Sequence, residues 1–246
     1  MDLNDPDQYR TPKNLAARIN VHVRYSAADD DWLSWLRRIV APTPSCRILD
    51  VGCGTGDIWA TQETSESRPE NVVLTDRSRG MVESATSATG LTGVVADAAR
   101  FPFASDSFDI VLAAHMLYHV EDPASAIAET ARVIRKGGRF IASTNGALHM
   151  RELDDLTGHE PIKLSFDLDS GAEFLRTAFE SVVVHRRNDE LRITDGSDAV
   201  DYLDSYRDLT DDDRVRIRAA IDRDITKSGF FRVGKEMGVF ECAHPV

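Results

Sequence analysis

Three cysteines, Cys46, Cys53 and Cys242, are all that 246 residues contain. They are odd in number, stand at no metal-ligand spacing and form no paired framework of the secreted kind, so free thiols in packing roles are expected and no metal centre. Positive charge is also scarce: 29 Lys and Arg face 41 Asp and Glu, a formal net charge of −12, with Asp29-Asp30-Asp31 and Asp211-Asp212-Asp213 as acidic runs. A general phosphate-backbone binder needs a basic face, so no nucleic-acid partner is expected, although Arg186-Arg187 forms a local basic patch. No apolar run approaches the ~20 residues of a membrane span. The opening MDLNDPDQYR has neither the basic n-region nor the apolar h-region of a signal peptide. A soluble cytoplasmic protein without a membrane partner is the expectation. Missing as well are an internal repeat, a low-complexity tract and a linker clear enough to divide the chain.

What is present, 42% hydrophobic and 28% charged residues, suffices for one full core or one core with a small appended lobe. Thr11-Pro12 offers an N-cap with proline at the first helical position, and Leu15, Ile19 and Val23 follow at helical spacing, which predicts a short first helix. A second helix starts near Asp29 to Asp31, where negative charge suits the positive helix end. It puts Trp32, Trp35, Leu36 and Ile39 on one stripe before Ala41-Pro42-Thr43-Pro44 stops it. That stripe reads as core contact rather than as an aromatic ligand box.

From Cys46 onward short apolar runs (RILDV, NVVLTD, TGVVAD, FDIVLAA, RFIAST) alternate with segments of helix or loop character. Alternation of this kind predicts βαβ units and a parallel sheet covered on both faces. Ser78 caps a helix carrying Met81, Val82 and Ala85. Asp122-Pro123 caps another carrying Ile127, Thr130, Val133 and Ile134, which Gly137-Gly138 terminates. Residues from about 145 to 178 read as helix, polar loop through Thr157-Gly158-His159-Glu160-Pro161, and helix, an insertion in the regular alternation. SVVVHRR and ELRITD are predicted as strands, 197–208 and 211–227 as helices, and GVFECAHP as a closing strand.

The stretch ILDVGCGTGDIW, Ile48 to Trp59, places Gly52, Gly54 and Gly56 where a buried strand turns into a helix. Turns of this type serve several nucleotide-like ligands. A nucleoside triphosphate is excluded, because four residues between the glycines and a following Lys-Ser/Thr pair are required and neither is present. A dinucleotide wants G-x-G-x-x-G with an acid about twenty residues on, and Asp76 stands at that distance. The third glycine, however, falls at 56 rather than 57, and Asp57 puts a negative charge where a pyrophosphate would accept hydrogen bonds. No Tyr-x-x-x-Lys pair of a nicotinamide reductase is recognisable. With Asp50 at the strand end, the acids suit a ligand that is cationic or zwitterionic at this point, such as S-adenosylmethionine.

The segment DVGCGTG, Asp50 to Gly56, resembles the first motif of class I S-adenosylmethionine-dependent methyltransferases, of the small-molecule, type 11-like kind, and the resemblance continues in order. Asp76, within DRSRGM, is similar to that family's acid-x-Ser-x-x-Met element. VVADAARFPFASDSFDIVLAAHMLYHVEDP resembles its third and fourth strands, and RVIRKGGRFIAST its next helix, glycine turn and fifth strand. The match covers roughly 45 to 145. It implies a doubly wound, mostly parallel seven-stranded α/β sheet with an antiparallel closing strand, the Rossmann-like methyltransferase fold. Residues 1–44 would form an N-terminal helical cap or lid, and 45–246 the cofactor-binding domain with an acceptor-site insertion at about 145–178. It further implies that Gly52, Cys53 and Gly54 contact the cofactor and that Asp76, followed by Arg77, binds the ribose hydroxyls. Asp97 would accept from the adenine amino group and Ala98 donate to the ring. Ala114, His115 and, from the lid, Tyr25 would stand near the methionine end or the acceptor.

Methyl transfer needs positioning and water exclusion more than catalytic groups. Where the nucleophile is a hydroxyl or a protonated amine, a histidine base helps. His119, after the fourth strand, is the first candidate, against a loop-fixing hydrogen bond; His149 is the second, against a surface histidine. Met116, Met150, Phe166 and Phe174 are candidates for an apolar acceptor pocket, with core packing as their alternative. The Asn-Pro-Pro-Tyr/Phe loop of amino-methylating nucleic-acid enzymes is absent. The reading is methyl transfer from S-adenosylmethionine to a small organic acceptor, with S-adenosylhomocysteine as product. Oxygen ranks before nitrogen and carbon as the accepting atom, a natural-product intermediate is one acceptor, and the protein is a monomer or homodimer. The alternative is a domain that binds the cofactor without methylating.

Overall fold

The computed structural model describes residues 13–60, 69, 71–160 and 162–246, with backbone only for 13–16; the Thr11-Pro12 cap, the side chain of Leu15 and Pro161 lie outside the described residues. Strands β1 (Arg47–Val51), β2 (Asn71–Asp76), β3 (Thr92–Val95), β4 (Phe108–Ala114), β5 (Ile134–Asn145), β6 (Phe179–Ile193) and β7 (Phe231–Pro245) make one sheet in the order β3-β2-β1-β4-β5-β7-β6. The first five are parallel, with Leu49 of β1 opposite Val73 of β2 on one side and Val111 of β4 on the other. The parallel strands accord with the alternation of elements, and the closing strands run antiparallel, where the resemblance implied one such strand.

The helices are α1 (Lys13–Tyr25), α2 (Trp32–Val40), α3 (Asp57–Ala60), α4 (Arg79–Thr89), α5 (Pro123–Val133), α6 (Arg151–Thr157), α7 (Gly171–Arg176), α8 (Gly196–Asp204) and α9 (Asp211–Ser228). Their ends follow local chemistry. Ser78 Oγ accepts from Met81 N–H at the start of α4, and Gly90 in the left-handed conformation closes it. Asp122 with Pro123 opens α5, and a Thr210–Asp213 capping box opens α9.

By its packing the chain forms two compact units. One comprises residues 32–146, 164–186 and 238–246 and contains β1 to β5 with α2, α3, α4, α5 and α7. Successive residues point to opposite faces of a strand, and here that period separates two cores. Leu49, Val111 and Ala113 join Phe140, Phe166 and Phe240 on one face, while Ile48, Ile110 and Leu112 join Leu36, Trp59 and Leu74 on the other. Of the described residues, the other unit comprises 13–31, 147–160, 162–163 and 187–237. It packs α1, α6, α8 and α9 around Val21, Leu153, Leu203, Ile217 and Ile221. Strands β6 and β7 contribute residues to both units.

The expected first helix forms as α1; it buries Val21 and Tyr25, with Arg18 and Tyr25 bonded to Ser205 and Asp198 of the α8 region, while Ile19 and Val23 are 37% and 77% exposed. Two expectations are corrected. The helix expected to run through Ile134 ends at Val133. Ile134 pairs with Phe108, the register then shifts so that Arg139 pairs with Ile110, and Gly137 at φ 79° serves this bulge rather than a helix stop. SVVVHRR and ELRITD are one strand, β6, because the polar residues between them find partners. Ser26 Oγ and Lys235 Nζ donate to Asp189 Oδ2 at 2.7 and 3.0 Å, and Ala27 N–H donates to Glu190 O at 2.9 Å.

Gly93 in β3 lies under α4, where an added Cβ would stand 2.5 Å from Thr86 Cγ2 and 2.6 Å from Val82 Cγ1. Gly93→Ala is therefore expected to destabilise the fold by about 1–3 kcal/mol, read as a lower urea midpoint; an unchanged midpoint contradicts the tight strand-to-helix packing.

Candidate functional site

Parallel strands on either side of a central strand with connections leaving in opposite directions open a crevice at their carboxyl ends. In the order β3-β2-β1-β4 that switch point lies between β1 and β4. The glycine turn after β1, Asp76 at the end of β2, Asp97 after β3 and His115 after β4 are consequently brought to one edge of the sheet, within one compact unit.

The turn is held in place by close packing and by its own backbone bonds. Gly52 has φ 65°, and a Cβ there would lie 2.7 Å from Met116 Cβ, so glycine lets the loop after β4 approach. Cys53 N–H donates to Thr75 O at 2.9 Å, locking the turn to β2, and Gly56 N–H closes it on Cys53 O at 2.9 Å. Burial and the nearby acids Asp50 and Asp76 push the Cys53 thiol up, so it stays protonated and contributes no nucleophile.

Two carboxylates meet under this turn. Asp50 is 2% exposed and accepts from the Trp59 indole N–H at 2.7 Å. Burial, with a smaller contribution from the charge of Asp76 and against the Trp59 bond, raises its carboxyl to about 7. Asp76 is also raised by burial, offset by the backbone N–H groups of Ser78 and Gly54, which donate to its two oxygens at 2.8 and 3.2 Å. Asp57, whose charge argued against a pyrophosphate, accepts from Thr55 Oγ1 at 2.9 Å. Desolvated acids of this kind disfavour an anion and fit hydroxyl or ammonium donors, so the residues present suit the ribose and amino groups of an adenosyl sulfonium cofactor.

Asp97 is exposed, and its Oδ1 accepts from Ala99 N–H at 2.8 Å in the turn that places half-buried Ala98 after β3; Arg77 is exposed beside Asp76. Ala114 ends β4 opposite Ser143. His115, at φ 53°, donates its backbone N–H to both O and Oγ of Ser143, 3.1 and 3.0 Å away. His119 closes a 3-10 turn, Leu117–His119, with its ring 4.5 Å from that of Tyr118.

Two other candidates belong to the second unit. Tyr25 donates its hydroxyl to Asp198 at 2.7 Å, and burial followed by that bond pushes the phenol up to about 12. His149 stacks on His22 with ring centroids 5.8 Å apart. Of the suggested pocket residues, Phe166 and Met150 are core, 0% and 1% exposed, while Met116 and Phe174 are half-buried and pack against the buried cluster of the sheet. Trp59, Ser143 and Trp32 were not singled out as site residues by their sequence context, since each acts across a gap that only the folded chain closes.

This edge and sheet order define the class I S-adenosylmethionine-dependent methyltransferase fold. A solved putative methyltransferase from Bacillus halodurans superposes with TM-score 0.62 at 17% identity, covering 87% of this chain and 99% of that one. Residues 49–142 match the methyltransferase domain family. It is 37% identical over 113 residues to a ubiquinone/menaquinone biosynthesis C-methyltransferase of Desulfotalea psychrophila, covering 44% of this chain and 46% of that protein. It is 40% identical over 101 residues to a malonyl-[acyl-carrier protein] O-methyltransferase of Hahella chejuensis, covering 39% and 36%. The chain thus spans less than half the length of these two relatives. No helix among the described residues is long and apolar enough to cross a membrane.

Asp50 gives the site a pH signature. Its folded-state carboxyl, near 7, lies above the unfolded value of 3.8, so between these limits the unfolded chain releases the proton first and stability falls as pH rises. Asp50→Asn keeps an acceptor for Trp59 and cannot ionise. In urea unfolding it is expected to gain about 2–3 kcal/mol on the wild type between pH 5 and pH 8; parallel pH profiles contradict a desolvated Asp50.

Proposed function

We propose that the protein transfers a methyl group from S-adenosylmethionine to a small organic acceptor and releases S-adenosylhomocysteine. The observation that carries this reading is the position of Asp76: a desolvated carboxylate bonded to the amides of Gly54 and Ser78, facing the glycine turn across the end of β1. When bound, the cofactor supplies an electrophilic methyl group open to in-line displacement.

The residues of the chain then divide the work of binding and orientation. Asp76, with Arg77 beside it, accepts the ribose hydroxyls, while Asp97 accepts the adenine amino group and Ala98 N–H donates to the ring. The backbone of Gly52, Cys53 and Gly54 lies along the cofactor, and Asp50 favours its ammonium end. Ala114 and His115 stand at the methionine side. His119 takes the proton of an acceptor hydroxyl; oxygen ranks first among accepting atoms because that is what the resembled family most often methylates. The sequence relatives named above methylate carbon in one case and oxygen in the other by their names, which supports a small-molecule acceptor without choosing its atom.

Calorimetric titration tests the reading. S-adenosylhomocysteine is expected to bind and NADH not, and Asp76→Ala is expected to weaken the adenosyl ligand at least about tenfold, the scale of one hydrogen bond to a charged group. NADH binding without S-adenosylhomocysteine binding overturns it. Mass gain of one methyl group across an acceptor panel then identifies the substrate.

A further inference from the structure

The aromatic stripe of α2 is not wholly core. Trp32 and Trp35 are half-buried, with ring centroids 5.2 Å apart, and Trp32 lies 4.9 Å from His115. The run of rings continues from His115 to Tyr118 at 6.4 Å and on to His119, also half-buried. Successive tilts of 37°, 52°, 62° and 56° bend these rings into a curved wall rather than a flat stack.

The wall is held from both ends. α2 is anchored by Leu36 and Val40, both buried, and by Arg37, whose Nε donates to Ile58 O at 2.8 Å. Arg139 donates to Val40 O at 2.7 Å and is itself held by Glu241 at 2.6 Å. On the other side His115 keeps a left-handed backbone, a conformation costly to a non-glycine residue, through its two bonds to Ser143. A strained residue and a rigidly mounted indole meeting at the end of β4 place aromatic surface where an acceptor has to approach.

We propose that Trp32 is a specificity-determining residue of the acceptor pocket, its indole forming with His115 and Tyr118 a wall that takes a planar, π-bonded acceptor by stacking. The inference rests on the methyl-transfer reading, which puts the reacting methyl group beside His115. Offset or tilted ring pairs gain attraction beyond burial alone, so a planar acceptor gains where a saturated one of the same size does not. A hydroxyl on such a ring, with a pKa of about 10, suits His119 at the end of the wall. Its oxygen gains the methyl carbon as the carbon–sulfur bond of the sulfonium breaks, the bonding pair stays on sulfur, and the proton passes to His119. An alkylammonium, the other ligand that aromatic faces attract, has no lone pair to accept a methyl group until it loses its proton.

The experiment uses the full chain, titrated first with S-adenosylhomocysteine and then, when saturated, with 2-naphthol, decahydro-2-naphthol and tetramethylammonium. We expect 2-naphthol to bind about tenfold more tightly than its saturated counterpart. Trp32→Leu should abolish that preference while leaving S-adenosylhomocysteine affinity close to wild type, and Trp32→Phe should restore most of it. Equal binding of the two naphthols, an intact preference in Trp32→Leu, or tighter binding of tetramethylammonium overturns the wall. Failure of S-adenosylhomocysteine to bind removes the methyl-transfer reading, and the inference with it, at the first step.

Discussion

Strand β1 is hydrogen-bonded to β2 on one side and to β4 on the other, in parallel on both, and the site depends on that double pairing. Parallel strands deliver every carboxyl end to the same edge, so residues from four separate segments converge without any direct bond between most of them. A one-residue slip in β1 would exchange Ile48 and Leu49 between the two cores and turn Asp50 out of its position beneath the glycine turn. The register is therefore held by apolar burial on both faces, and the polar edge inherits its geometry from that burial.

The edge itself runs against ordinary preference. Asp50 stands close enough to Asp76 for that charge to raise its cost of ionisation, and burial raises the cost for both. The fold offsets this with the Trp59 indole at Asp50 and, at Asp76, with backbone amides and the neighbouring charge of Arg77. A site that keeps acids desolvated and incompletely compensated is arranged for a ligand that brings hydroxyl and ammonium donors with it, which separates it from the pyrophosphate-binding turns that share its topology.

Much of this was legible in the residues. The five parallel strands, the cap at Ser78, the turn at Gly52 to Gly56 and the acids at strand ends all announce themselves locally, through period, capping chemistry and spacing. What was misread had a common cause. Gly137 looks like a helix stop because glycine commonly closes helices, yet β4 pairing across a register shift claims it for a bulge. Asn188-Asp189 separates two predicted strands because nothing nearby in sequence satisfies its polar groups; Ser26 and Lys235, both distant in sequence, bond to Asp189, and Ala27 bonds to the adjoining Glu190.

The sequence by itself determined the elements and the ligand class, because strand period, helix caps and the pattern of glycine with Asp50, Asp57 and Asp76 are properties of short stretches whose chemistry is complete within them. Tertiary structure alone decided which aromatic rings meet at the end of β4, that Trp59 rather than solvent satisfies Asp50, and that Tyr25 bonds to Asp198. Those contacts join residues whose separation along the chain carries no signal, and their energies depend on burial, which exists only once the sheet has closed over its two cores.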